Sequence, residues 1–328
     1  CQAPPAEPAE GCGGRCTPPS RSMRTMAEPL RRSGARPGAR AEQWAAWLLG
    51  LPAFLLMWAM LLGPALAVIL LSFTDWSFGE AELRWHGLGN YLELWGDRVF
   101  WVSLRNTLIY VGVSVPATVA LGLLAAILIE GAGRGRGLYR ALYFLPVAST
   151  LLGMALVWEF MLHPRVGFVN QVVAALGFAR RDWLNDPDLA LLALAAIGVW
   201  QNLGLAMVLF MAGLQAIPAD LYEALALDGA DGAWERFRRI TWPLLGPALV
   251  FVMAIMAIRS FQVFDTVAVL TEGGPQKSTE VLLYTMVQNG FTFLRSAYGA
   301  AITAVFLAFT LALTLAQTWL LERRAHYG

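Results

Sequence analysis

Gln201 and Asn202 stand side by side inside an uncharged stretch that runs from Leu189 to Ala216. Arg259, Ser260 and Gln262 interrupt a second apolar stretch, Leu244 to Leu270, which also carries Asp265. Polar groups inside long apolar runs are expensive in lipid and mark pathways through it. Amides and hydroxyls both donate and accept hydrogen bonds without taking on charge, so their chemistry is recognition of a polar, hydroxyl-bearing solute rather than bond cleavage. Two readings stand for Gln201, Asn202, Gly204 between the same helices, Ser260 and Gln262: a hydrogen-bonding pathway, or hydrogen bonds that hold one helix to the next. Arg259 adds a third, pairing with a partner subunit. Gln262 follows Arg259 by three residues and shares its helical face, whereas Asp265 falls on a different one.

Other chemistry finds no support. GGPQKST, residues 273–279, has the look of a phosphate loop, but that motif needs glycine directly before lysine, and Gln276 stands there. Lys277 is the only lysine in the sequence. His86, His163 and His326 are scattered and show no ligand spacing. No G-x-S-x-G elbow occurs. Cys1, Cys12 and Cys16 are the only cysteines, so the body of the chain needs no disulfide and offers no cysteine-ligated metal. The expectation is no catalytic residue and no metal.

The elements that must carry these residues are membrane helices. Of 328 residues, 57% are hydrophobic without counting glycine, against ~45–50% with glycine in ordinary globular chains. Charged residues are 14% and the net charge is +1, which argues against nucleic acid as a partner. Six stretches are long and apolar enough for spans: Trp44–Phe73, Asn106–Ile129, Ala141–Leu162 with Glu159 in it, Leu189–Ala216, Leu244–Leu270 and Ser296–Leu321. Lipid forces each into a helix, because its backbone polar groups must be satisfied internally. Residues 1–43 read as a disordered leader rich in Arg, Pro and Gly. Within it, residues 1–22 precede Met23 and Met26 and read as sequence upstream of the start, the alternative being an acylated Cys1. With the N-terminus inside, basic residues number twelve on the inner segments and eight on the outer ones, so both termini are expected in the cytoplasm.

Between the fourth and fifth spans the chain turns charged and amphipathic over residues 217–247. Pro218 and Asp220 suit a helix start. Leu221, Ala224, Leu225 and Asp228 recur at helical spacing, and Gly229 offers a turn. Trp234, Phe237 and Ile240 form a second stripe, with Arg236, Arg238 and Arg239 off it; Pro243 and Pro247 are expected to end it. Glu223, Asp228, Asp231 and Glu235 would oppose an anionic membrane surface, which favours a protein partner over a bed of headgroups.

This segment resembles the EAA loop of ABC-importer permeases: Glu-Ala-Ala, a spacer, Asp-Gly-Ala, then an aromatic, an isoleucine and a proline. Glu223, Ala224, Asp228, Gly229, Ala230, Phe237, Ile240 and Pro243 match it; Leu225 replaces an alanine. GLGNYLELW, NTLIYV, LYRALYFLP and LTEGGPQKSTEVLLY resemble the carbohydrate-uptake branch, so the likeness covers roughly residues 44–328. It implies an all-α membrane protein, six transmembrane helices with a cytoplasmic coupling-helix loop between the fourth and fifth, in the bacterial inner membrane. The eight matching residues would couple to a separate ATPase dimer that binds ATP and Mg, leaving this chain without a cofactor of its own and without enzymatic activity. A second homologous permease and an extracytoplasmic solute-binding protein would complete the importer, the latter on residues 74–100, 163–188 and 271–295. The cargo would be a sugar or related polyol, with Trp158 and Phe264 placed either to stack on a sugar ring or to pack. Glycerol-3-phosphate is the alternative, because Arg259 can balance a phosphate. A stand-alone secondary transporter is a further one, for which no inverted repeat is evident.

Overall fold

Helix lets an apolar chain satisfy its own backbone in lipid, and the computed structural model, which describes residues 39–131, 133, 135–227, 229 and 232–322, is helical nearly throughout. Among those residues there is no β-strand, only an isolated bridge between Thr74 and Trp85. Two compact units divide the chain, residues 1–61 and 62–328. The described part of the first is α1 (Ala39–Met57), which contains Pro52 and is followed by a π-helical turn, Trp58–Leu62. Trp44, Trp47, Leu48, Leu49 and Phe54 on α1 are all exposed. A helix apolar on every side belongs in lipid or against another chain.

The second unit opens with α2 (Gly63–Leu71), which has a proline in its first turn, where a missing N–H costs no hydrogen bond. A short helix, α3 (Gly89–Gly96), leads into the 34-residue α4 (Arg98–Gly131). Asp97 sits between them and accepts the Val99 N–H at 2.8 Å, an N-terminal cap. This cap starts α4 eight residues before the uncharged run begins at Asn106. Then follow α5 (Arg136–Ala148), α6 (Leu151–Leu162), α7 (Phe168–Ala175) and α8 (Ala190–Gln215). The amphipathic segment forms α9 (Ala219–Leu227), α10 (Ala233–Arg236), a π-helical turn at Phe237–Thr241 and α11 (Trp242–Leu244). The remainder is α12 (Gly246–Phe261), α13 (Asp265–Leu270), α14 (Leu282–Val287) with a π-helical turn at Gln288–Thr292, and α15 (Ser296–Glu322).

Five helical runs are long and apolar enough to cross a membrane: Trp47–Leu71, Arg98–Gly131, Ala190–Gln215, Gly246–Leu270 and Ser296–Gln317. A sixth is counted only if Arg136–Ala148 and Gly153–Leu162, which meet at 99°, form one bent span. The third apolar run is therefore not one straight rod. Ser149 and Thr150 are extended, and the Ser149 hydroxyl turns back to donate to the Pro146 carbonyl at 2.7 Å. A serine hydroxyl that bonds a nearby backbone carbonyl offers the chain an alternative to the helix ladder.

α4, α8 and α12 form the centre, packed through Val119, Leu123, Ala126, Met207, Phe210, Val252 and Met256. Small residues allow the close approach. A Cβ on Gly122 would sit 2.7 Å from the Ala206 Cβ, and one on Gly204 would overlap the Tyr143 carbonyl of α5. Without a hydrophobic drive between helices in lipid, such close packing must supply the cohesion. At one end of the bundle the chain between α13 and α14 is pinned to α4. Asn106 Nδ2 donates to the Lys277 and Glu280 carbonyls, both at 2.9 Å, and the Thr107 hydroxyl accepts the Leu282 N–H at 2.9 Å.

Candidate functional site

The fifth span supplies the central feature of the site by failing to stay helical. α12 stops at Phe261, Gln262 caps it, and helix resumes at Asp265. The intervening residues face a cavity of about 210 Å³ lined by Tyr110, Gln201, Asn202, Arg259, Gln262, Val263, Phe264, Asp265 and Thr266. Irregular backbone at membrane depth is tolerated where it lines a cavity. Gln201 lies eleven residues into α8, or about 17 Å along its axis, close to mid-span.

Three helices hold the polar groups in place. Asn202 Nδ2 donates back to the Gly198 carbonyl at 2.9 Å, which leaves its Oδ1 to accept Arg259 Nη1 at 3.0 Å. Arg259 is thus held by a neutral acceptor on α8 at the wall of the cavity. Tyr110 reaches in from α4. Glycine at 198 makes room for it, since a Cβ there would overlap the tyrosine hydroxyl. Thr266 is buried and its hydroxyl has no hydrogen-bond partner among the described residues. Phe264 closes the wall and tilts against Tyr284 at 6.2 Å. Burial pushes the Tyr284 hydroxyl above its ordinary value; the bond from Gln288 lowers it, and the carboxylates of Glu272 and Glu280 raise it further.

Of the pathway residues read from sequence, Gln201, Asn202, Arg259 and Gln262 meet on this one cavity. Ser260 and Gly204 do not line it. Ser260 is buried and accepts a hydrogen bond from Ser114 of α4 at 3.1 Å, which is the helix-joining role. Gly204 serves the contact with α5. Trp158 packs edge-on against Trp200 at 5.3 Å and is not part of the cavity lining. Asp265 moves the other way. Helical register sets it apart from Arg259, but the break after Phe261 cancels that register and brings it onto the cavity. Sequence reading missed Tyr110 and Thr266, since a tyrosine or threonine in an apolar run gives no contrast.

The segment between α8 and α12 is a two-armed surface element. α9 exposes Glu223 and Ala224, while Leu225 is half-buried. Gly229 has φ +79°, a left-handed turn that L side chains rarely adopt. In the second arm Trp234 is exposed and stacks on Phe237 at 5.7 Å, and Ile240 is buried. The Tyr222 and Thr241 hydroxyls bridge the arms at 3.0 Å. Asp228 and Ala230 lie outside the described residues. Pro243 and Pro247 do not end the element. Each falls in the first turn of a further helix, α11 and α12, where proline needs no N–H acceptor.

GGPQKST forms a turn, not a phosphate cradle. The Thr279 hydroxyl donates to the Gly274 carbonyl at 2.6 Å, and Lys277 Nζ pairs with Glu280 at 3.7 Å. Among the described residues no three His, Cys, Asp or Glu side chains gather as metal ligands.

With this geometry in place, likeness to known proteins becomes informative. The model of a family described as "binding-protein-dependent transport system inner membrane component" matches residues 106–326. The sn-glycerol-3-phosphate transport system permease protein UgpA of Agrobacterium fabrum is 34% identical over 245 residues, covering 74% of this chain and 82% of the relative. The trehalose/maltose transport system permease protein MalF of Thermococcus litoralis is 36% identical over 228 residues, covering 69% and 77%. A solved bacterial alginate ABC transporter, in complex with alginate pentasaccharide-bound periplasmic protein, shares the fold with a TM-score of 0.75 at 20% identity, over 88% of this chain and 97% of that one.

Proposed function

Since the chain belongs to the binding-protein-dependent inner-membrane components, the permease subunits of ABC importers, we propose that it passes a sugar or related polyol through the cavity between α4, α8 and the broken fifth span. The observation that carries this reading is the cavity's composition. Gln201, Gln262, Thr266 and Tyr110 present amides and hydroxyls on its walls, and Phe264 offers a ring face. Hydroxyls of a sugar match such donors and acceptors, and an aromatic face suits its apolar side. Arg259 and Asp265 bring one charge of each sign, which suits a neutral cargo. Names of relatives support the same class, including the trehalose/maltose permease.

Glu223, Ala224, Asp228, Gly229, Ala230, Phe237, Ile240 and Pro243 form the docking element for a separate ATPase dimer in this proposal. Exposed Glu223 pairs with a basic group there, and the turn at Gly229 seats the arm. ATP and Mg are held by that partner, so this chain needs no cofactor. A second permease and an extracytoplasmic binding protein complete the assembly, with both termini of this chain in the cytoplasm. Docking at one end then biases a two-state arrangement of α8 and α12, which flank both the loop and the cavity.

A second reading, glycerol-3-phosphate as cargo, is favoured by the relative named for that transport system and by Arg259. Asp265 on the same wall counts against it, because a like charge near a phosphate is repulsive.

The test is to tag the chain at its C-terminus, purify it in mild detergent from its host, identify what accompanies it and assay ATPase activity. A second permease and an ATPase whose activity rises with loaded binding protein are expected. Uptake of labelled sugar, competed or not by glycerol-3-phosphate, then separates the two cargoes. A lone chain with no ATPase would overturn the importer reading and return a stand-alone transporter.

A further inference from the structure

Arg105 projects from α4 away from the central packing, exposed and with no ion-pair or hydrogen-bond partner among the described residues. It sits in an open groove of about 440 Å³ that it lines with Trp101, Leu104, Leu108 and Ile109. These positions recur every three or four residues, so they form one face of one helix. The depth of that face follows from length. α4 has 34 residues, about 51 Å, and the hydrocarbon core is about 30 Å thick, so roughly 10 Å of helix extends beyond each boundary when it is centred. Arg105 stands seven residues from the helix start at Arg98, again about 10 Å. Its guanidinium therefore falls at the level where headgroups begin, with Leu108 and Ile109 one turn deeper and Trp101 one turn outward.

The two carboxylates that most closely precede α4 in the chain bond other groups. Glu93 holds Arg295 at 2.5 Å, and Asp97 accepts the Tyr298 hydroxyl at 2.6 Å. Trp101 is fixed in turn by its indole N–H, which donates to the Trp95 carbonyl at 2.9 Å, and by edge-on packing against the Trp95 ring at 5.1 Å. A fixed aromatic pair, an uncommitted guanidinium and an apolar groove thus follow one another along the membrane normal.

We propose that this groove seats one anionic phospholipid. Its phosphate pairs with the Arg105 guanidinium, one acyl chain lies along Leu104, Leu108 and Ile109, and the Trp95–Trp101 pair borders the headgroup. Arginine suits this role because its planar fork binds two phosphate oxygens at once. The site is independent of the cargo and of the ATPase.

The test uses the full chain co-expressed with whatever partners it retains, in detergent, with lipid adducts counted by native mass spectrometry against added dioleoyl-phosphatidylglycerol or dioleoyl-phosphatidylcholine. Wild type should hold the anionic lipid about tenfold more strongly than the zwitterionic one, the scale of one charge-assisted bond. Arg105→Gln should erase that preference, Arg105→Lys should keep part of it, and Arg84→Gln, which removes an exposed loop arginine, should keep all of it. No preference in wild type, or the same preference in Arg105→Gln, would overturn the proposal. A photocrosslinker at position 108 in the otherwise unaltered chain reads the same face without disturbing the arginine. Capture of lipid is expected, and capture of a protein chain instead would show that the groove is a subunit interface.

Discussion

Thr266 holds a buried hydroxyl, with no partner among the described residues, beside a polar cavity. An unpaired buried hydroxyl costs about 1–3 kcal/mol, and a formed bond returns about 1 kcal/mol. Thr266→Val keeps the shape and removes the polar atom, so thermal stability should hold or rise while sugar uptake falls about fivefold. Unchanged uptake would mean that the hydroxyl meets no cargo. Glu223→Lys should cut ATP-driven uptake by tenfold or more at normal membrane abundance. Normal uptake by that variant would remove Glu223 from the proposed docking contact. At this scale the sequence was informative where contrast was high. Gln201, Asn202, Arg259 and Gln262 stand out because amides and a guanidinium are conspicuous among leucines and alanines. Tyr110 and Thr266 were invisible because both are ordinary in membrane helices, and only three-dimensional convergence marks them.

Elements differ from the uncharged runs wherever a capping or breaking interaction intervenes. The Asp97 cap lengthens α4, the turned-back Ser149 hydroxyl bends the third run, and the loss of helix after Phe261 divides the fifth. Hydrophobicity registers a run's length and is blind to its continuity. Gly204→Val forces a side chain into the Tyr143 backbone. It should destabilise the α5–α8 contact by about 1–3 kcal/mol, seen as a lower melting temperature in detergent; a wild-type value would show that α5 shifts freely. Asn106→Leu strips the Lys277 and Glu280 carbonyls of their shared donor. A lysine-specific protease has one site in the sequence, Lys277, so cleavage there should speed up several-fold in this variant. An unaltered cleavage rate would mean that the loop is held by other contacts.

At the scale of the whole molecule, spans and their polar interruptions made the class of fold legible, while the short helices α3, α7 and α14 outside the spans were not. Each is too short for a strong periodicity and is held by tertiary contacts, as Leu94 and Leu282 are in one cluster with Tyr298 and Ile302. Many large apolar side chains remain exposed in the chain taken alone, Leu48, Leu49 and Met60 among them, as lipid or another chain would allow, and the proposed function makes this chain one subunit of a larger assembly. The purified chain alone should therefore bind its sugar too weakly for calorimetry, and the complete assembly should bind it measurably; equal affinity would mean that the cavity is complete without a partner. The interruption after Phe261 has one more effect, on leverage. α12 is a stiff arm of 16 residues, about 24 Å long, with the surface loop at one end and Arg259 near the other. A tilt of about 10° about the loop end would sweep the far end by roughly 4 Å. The three non-helical residues Gln262–Phe264 stand between that arm and α13, so the sweep would reach the cavity wall before it reached the loop held by Asn106. If the proposed ATPase pushes on that loop, the break predicts a local stroke at the cavity wall with little movement at the opposite rim.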